Sequence, residues 1–181
     1  LNNRAVYVAT AFVLHWKQPL QETSQSLLAC YQTALDSGDY EFAGYSAYHY
    51  CNQAFASLVN LVHFEEMTDS LKRSLLKLKQ ERTHSYIEVI NEAVHVLRGK
   101  VRRNTDLLSD QYSAADLSKM GEESRFHQLL HVLFLNRLML YVHFEQWDKA
   151  LQALTLVEHY AYSEKAMNVI PQGVFYEAIT K

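Results

Sequence analysis

The chain has 181 residues, is 49% apolar and 20% charged, and carries a formal net charge of -3. That balance is ordinary for a globular protein long enough to bury a core, and it gives no electrostatic case for nucleic acid or an acidic membrane as partner. Five glycines and two prolines are too few for the frequent turns of an all-β fold.

Hydrophobic spacing is helical almost throughout. It predicts a first helix over about Arg4–Trp16 and a second whose first turn takes Pro19, where a missing N–H costs nothing. The second helix places Leu20, Leu27, Leu28, Tyr31 and Leu35 on one stripe. It stops at Gly38, a residue suited to the left-handed position after a helix end. Asp39 is placed to cap a third helix running to about Val59. A fourth fits "FEEMTDSLKRSLLKLKQ", with early glutamates and late lysines matching the helix dipole. Ser85 and Glu88 have capping-box spacing near the start of a fifth, which turns Ile87, Ile90, Val94 and Leu97 inward and ends at Gly99.

Residues 100–121 form the least regular stretch, a long connection holding one short helix. An apolar helix follows over about Glu122–Phe144, then one over about Trp147–Tyr162, and a last one opens at Pro171. The apolar run Leu129–Phe144 is broken by His131, Asn136, Arg137 and His143, and it is shorter than the ~20 residues a membrane span needs. The count is eight or nine helices and no strand. Because the chain opens on Leu1 inside a periodic segment, without an initiator Met or signal peptide, we read it as one domain, residues 1–181, of a longer protein.

Two joints repeat. "SGDYEFA" and "FEQWDKA" each combine a tight turn, an aromatic and an alanine three residues later, and Tyr40–Ala43 aligns with Trp147–Ala150 at an offset of 107. That offset is close to three periods of the ~34-residue tetratricopeptide (TPR) repeat. The intervening joints, read near His63–Phe64 and Gly99–Lys100, are unevenly spaced. The expected fold is therefore all-α: a TPR-like stack of antiparallel helix hairpins, a degenerate α-solenoid.

The third helix has two distinct sides. Ala43, Ala47, Cys51 and Ala54 make a small face that lets a neighbouring backbone come close. Tyr45, Tyr48, Asn52 and Phe55 make the adjacent face. Tyrosine joins apolar area to a polar tip, so this face suits either a core margin or a surface for a protein or peptide partner. Cys30 and Cys51 lie inside helical patterns, as buried thiols of a reducing compartment do.

Nine histidines prompt a search for metal. His127 and His131 have the i, i+4 spacing by which two imidazoles share a zinc, with Glu122 and Glu123 one turn upstream. The residues between them are Gln, Leu and Leu, so the H-E-x-x-H motif and its general base are missing. No bound metal or other cofactor is expected in this chain; the alternative reading is a small helical metal- or ligand-binding bundle using His127 and His131. His15 beside Trp16 reads as a packed corner residue, since no nucleophile stands at a fixed offset. No G-x-S-x-G or phosphate-binding loop is present. Arg98, Lys100, Arg102 and Arg103 form a basic cluster without interleaved aromatics for base stacking.

"FVLHWKQPLQET", "YQTALDSGDYEFAGYSAYHYC", "LNRLMLYVHFEQWDKALQALTLVEHY" and "VIPQGVFYEA" together resemble the helical region of large bacterial multidomain signalling proteins. In that family a serine/threonine protein kinase domain is followed by a predicted AAA/STAND-type ATPase, a TPR-like region, a GAF sensor domain and often a histidine kinase. The resemblance spans nearly the whole chain. It implies a cytoplasmic setting, with ATP and magnesium used by other domains of an enzymatic parent. No kinase, Walker A or phosphoacceptor motif has a counterpart here, so no catalytic residue carries over. The expected role is noncatalytic: a scaffold or regulatory module contacting neighbouring ATPase or kinase domains, or a protein or peptide partner.

Overall fold

The computed structural model describes residues 2–57, 60–100, 106–107, 112–164 and 167–181. The described residues are all-α, with nine helices, three short 3₁₀ turns and no strand. In chain order the helices are α1 Asn3–Phe12, α2 Leu20–Asp36, α3 Tyr40–Ala56, α4 Leu61–Lys77, α5 Glu81–Leu97, α6 Ala114–Gly121, α7 His127–His143, α8 Trp147–Tyr160 and α9 Val169–Thr180. They form two compact units, Leu1–Asn91 with Ala166–Asn168, and Glu92–Lys165 with Val169–Lys181.

Several predicted boundaries move, each for a local reason. The first helix breaks at Val13 and finishes as a 3₁₀ turn over Leu14–Trp16. Pro19 stands one residue before α2, in an extended conformation. Asp39 occupies the capping position of α3 but makes no side-chain capping bond. Its carboxylate instead accepts from Arg4 Nε at 2.7 Å and Nη2 at 3.1 Å, tying α1 to the start of α3. The fourth helix starts at Leu61, where the Asn60 side chain accepts from Val62 N–H at 2.9 Å, so no joint falls at His63–Phe64. The fifth begins at Glu81; Ser85 is inside it and donates to the Glu81 carbonyl. The apolar helix begins only at His127, after a 3₁₀ turn over Ser124–Phe126. The short helix expected within residues 100–121 is α6, opened by a reciprocal capping box of Ser113 and Asp116.

The first unit is built on the α2–α3 hairpin, against which α1 packs. Leu27, Cys30 and Ala34 of α2 and Ala43, Ala47, Cys51 and Ala54 of α3 are all at most 2% exposed. The predicted small face is thus fully buried. α3 is not two-sided, however: every residue from Ala43 to Ala54 except Tyr45 is buried. Close approach continues at Gly44, where an added Cβ would lie 2.7 Å from the Thr83 hydroxyl of α5. α4 and the front of α5 run antiparallel, joined by side chains. Thr68 Oγ1 donates to Asn91 Oδ1 at 2.7 Å, Asn91 Nδ2 donates to Asp69 Oδ1 at 3.0 Å, and Lys72 pairs with Glu88 at 2.5 Å.

In the second unit α7 packs on α8, and α9 packs on both. α7 buries residues around its whole circumference, from Leu129 to Tyr141, which explains why its apolar run is so long. Ala150, Ala153, Leu154, Val157 and Tyr160 are the buried residues that α8 supplies along its length.

Four helices end in one turn. After α2, α4, α5 and α7 a residue with positive φ follows: Gly38 (73°), Lys79 (57°), Gly99 (67°) and Glu145 (57°). Each time two backbone N–H groups reach back to orphan carbonyls, as Gly38 to Leu35 and Asp39 to Ala34, and as Glu145 to Val142 and Gln146 to Tyr141. This is the Schellman arrangement. Gly38 and Glu145 are the equivalent positions of the two repeated joints. After each comes an aromatic about half exposed (Tyr40 47%, Trp147 46%) and a fully buried alanine (Ala43 and Ala150, both 0%).

A side chain in the left-handed region costs about 1–2 kcal/mol, partly offset by the greater unfolded-state entropy of glycine. An added Cβ at Gly38 would meet nothing within 4 Å, so only backbone strain is at stake there. Gly38→Ala is expected to lower the thermal midpoint by the equivalent of about 1 kcal/mol, and Glu145→Gly to raise it by up to a similar amount. Melting curves followed by circular dichroism measure both; equal shifts of one sign would contradict the turn assignment.

Candidate functional site

The structure divides the four residues of the candidate interaction face. Tyr48 is 1% exposed and packs on Tyr86 of α5 with ring centres 5.0 Å apart. Asn52 is buried, and its Oδ1 accepts from Asn168 Nδ2 at 2.8 Å. Tyr45 and Phe55 stay partly exposed. Phe55 stacks on Phe64 at 5.6 Å. Tyr45 lies beside Tyr7 and Phe42, and its hydroxyl donates to Glu41 Oε1 at 2.9 Å. Burial, and next the Glu41 carboxylate, raise its phenol pKa. The accessible part of this face is therefore Tyr45, bonded to Glu41, and separately Phe55.

Sequence spacing did not single out His49. It is 3% exposed and ringed by Tyr7 at 5.6 Å, Phe12 at 5.7 Å and Tyr48 at 4.8 Å. Burial, reinforced by the charge of His15, pushes its pKa down to about 3. Two residues in the same helix carry orphaned polar atoms. Among the described residues Gln53, 0% exposed, has no hydrogen-bond partner at either amide atom, and neither has the Ser46 hydroxyl.

The two histidines of α7 lie in different environments. His127 stands at the start of the helix, with Nε2 2.9 Å from the Gly121 carbonyl and Nδ1 bonded to the Tyr162 hydroxyl. The carbonyl can only accept, so Nε2 carries a proton, and in the neutral ring Nδ1 accepts from Tyr162. His131 is 1% exposed, its Nδ1 has no partner among the described residues, and burial pushes its pKa down to about 4. Among the described residues no three of His, Cys, Asp and Glu gather as a metal-holding group. Cys30 and Cys51 are buried and unbridged. Of the basic cluster, Arg98 and Lys100 follow the end of α5, while Arg102 and Arg103 lie outside the described residues.

A second polar site, which periodicity did not reveal, is built on α7 and α8. Arg137 and Tyr141 project from one stripe of α7, and Lys149 from the first turn of α8. Asp106 and Leu107 meet them. Tyr141 donates its hydroxyl to Asp106 Oδ1, Lys149 Nζ lies 2.8 Å from Asp106 Oδ2, and Arg137 donates Nε (3.2 Å) and Nη2 to the Leu107 carbonyl. Burial pushes the Asp106 carboxyl up, but the hydrogen bonds from Lys149 and Tyr141 and the charges of Lys149 and Arg137 outweigh it. The net pKa lies below the ordinary value. Beside these groups is a cavity of about 240 Å³, walled on its apolar side by Phe134, Ala153 and Leu156.

No helix of the described residues is long and apolar enough to cross a membrane. Comparison with protein-family models, curated proteins and solved structures returns no match for the chain.

The buried histidines set a pH dependence. Folded, His49 and His131 stay neutral down to about pH 3 and 4; unfolded, each takes a proton near the ordinary 6.5. The unfolded state thus binds more protons as pH drops below 6.5. Stability should be complete above that value and fall by about 1.4 kcal/mol per pH unit for each histidine below it. Thermal midpoints between pH 8 and pH 4.5 should show a plateau and then a steep decline, shallower in His49→Gln than in the parent. An unchanged slope in that variant would place the proton uptake elsewhere.

Proposed function

We propose that this chain is a noncatalytic, TPR-like interaction and regulatory module of a larger bacterial ATP-dependent signalling protein. In that reading it couples a kinase or ATPase domain to an input or to a protein partner, in the cytoplasm. ATP and magnesium belong to other domains of the parent. The observation that carries this reading is the recurrence, 107 residues apart, of one hairpin joint with an αL turn, a half-exposed aromatic and a buried alanine. Such hairpins are the units of helical repeats, whose usual work is to hold peptides or neighbouring domains. The four stretches resembling the helical region of the kinase–ATPase family supply the setting.

Within α3, Ala47 serves folding and Tyr45 serves contact. Ala47→Leu overpacks a site with no exposed area and should destabilise the chain by about 1–3 kcal/mol. Tyr45→Ala should leave the thermal midpoint nearly unchanged and weaken capture of the parent's ATPase domain in a pull-down. The isolated chain should release no phosphate from ATP above buffer. A Tyr45→Ala variant as unstable as Ala47→Leu, or ATP turnover abolished by a point change in this chain, would overturn the reading.

A further inference from the structure

The α7–α8 hairpin holds a dipeptide of its own chain in the manner of a bound ligand. Both carboxylate oxygens of Asp106 are taken, one by the Tyr141 hydroxyl and one by Lys149 Nζ at 2.8 Å. The next peptide carbonyl, that of Leu107, accepts two donors from Arg137. Leu107 as a residue is 2% exposed. An acidic side chain and the main-chain carbonyl of the buried leucine that follows are thus each read separately. Arg137 is held for the task, its guanidinium 5.6 Å from the centre of the Phe134 ring.

The grip on the carboxylate is open on one side. The side chains of Lys149 and Asp106 are 47% and 43% exposed, and the adjoining 240 Å³ cavity continues along Gln152 and Leu156 of α8. Donors fixed on two packed helices, with unfilled apolar room beside them, match a short linear segment better than a closed structural ion pair. We propose that the groove between α7 and α8 is a peptide site for an acidic residue followed by leucine, and that Asp106–Leu107 occupies it in cis. A partner segment of the same chemistry competes for it. This rests on the interaction-module reading and names the chemistry that such a module would recognise.

Occupancy in cis lowers the apparent affinity for any outside peptide by the fraction of time the site is filled. The probe is a fluorescein-labelled peptide, Gly-Ser-Asp-Leu-Ser-Gly, titrated by fluorescence anisotropy into the 181-residue chain. Asp106→Asn should bind it about tenfold or more tightly than the unaltered chain, because the cis competitor has lost its carboxylate. A peptide with Asn in place of Asp should bind about tenfold more weakly. Adding Lys149→Gln to Asp106→Asn should remove the gain; Lys149 is half exposed, and unchanged melting curves confirm that the fold survives. Equal affinity of Asp106→Asn and the unaltered chain, equal binding of the two peptides, or no saturable binding up to about 1 mM overturns the proposal. Tyr45-dependent capture of the ATPase domain does not use this groove. If that capture persists while peptide binding fails, the groove alone is rejected; if both fail, the module reading falls as well.

Discussion

A helix that must end and turn back leaves carbonyls without partners, and in this chain one left-handed residue repeatedly resolves that. At Gly38, Lys79, Gly99 and Glu145 the backbone adopts positive φ, and two N–H groups fold back to satisfy the last turn. After Gly38, Lys79 and Glu145 the next helix starts two residues on, so the chain folds straight back on the helix it has left. Everything that gives the hairpins identity follows from where these turns fall. The alanines five residues beyond two of them, Ala43 and Ala150, are both fully buried. A larger side chain there would hold the helices apart and undo what the turn arranged.

The α-helical class and the order of its elements were legible because 3.6-residue periodicity is carried by many residues at once. Glycine marked two of the four turns. The Glu145 turn was legible only from its likeness to the Gly38 joint, and the Lys79 turn was hidden, because neither side chain favours the left-handed region and nothing in its type announces it. Asp39 and Ser85 show the limit of capping signals: each has the right type near the right place. Yet the Asp39 carboxylate went to Arg4 and the Ser85 hydroxyl to a carbonyl one turn back. Long-range partners decide such cases, and a local pattern does not contain them.

The tyrosine-rich helix shows the same limit on function. Read in isolation, α3 has a small side and an aromatic side, and the aromatic side looked like one surface. Packed, it is enclosed on most of its circumference, and Tyr48 and Asn52 turn inward while Tyr45 remains accessible. The difference arises because α1, α4 and the front of α5 add to the α2 partner; a face is defined by neighbours that lie far away in sequence. The same enclosure explains His49, Ser46 and Gln53. Polar groups held in a tightly surrounded helix keep their desolvation cost, which appears as a depressed imidazole pKa in one case and unpartnered atoms in the others.

The two hairpins also divide their labour differently at equivalent points. Position by position along the 107-residue offset, Cys30 of α2 corresponds to Arg137 of α7, and Ala34 to Tyr141. In the first hairpin these are small buried residues that pack; in the second they are the long polar side chains that hold Leu107 and Asp106. A repeat that keeps its turn and its closest alanine can change the remaining interior positions with little effect on the reversal itself. Substituting size and charge at two such positions converts a packing surface into a polar one that holds Asp106 and Leu107 of the same chain. The cost is the desolvation of Arg137, whose pKa is lowered by burial, and it is offset only while an acceptor stays in place. Such a site cannot stand empty without penalty, which is why a carbonyl and a carboxylate from the chain's own connection are found in it.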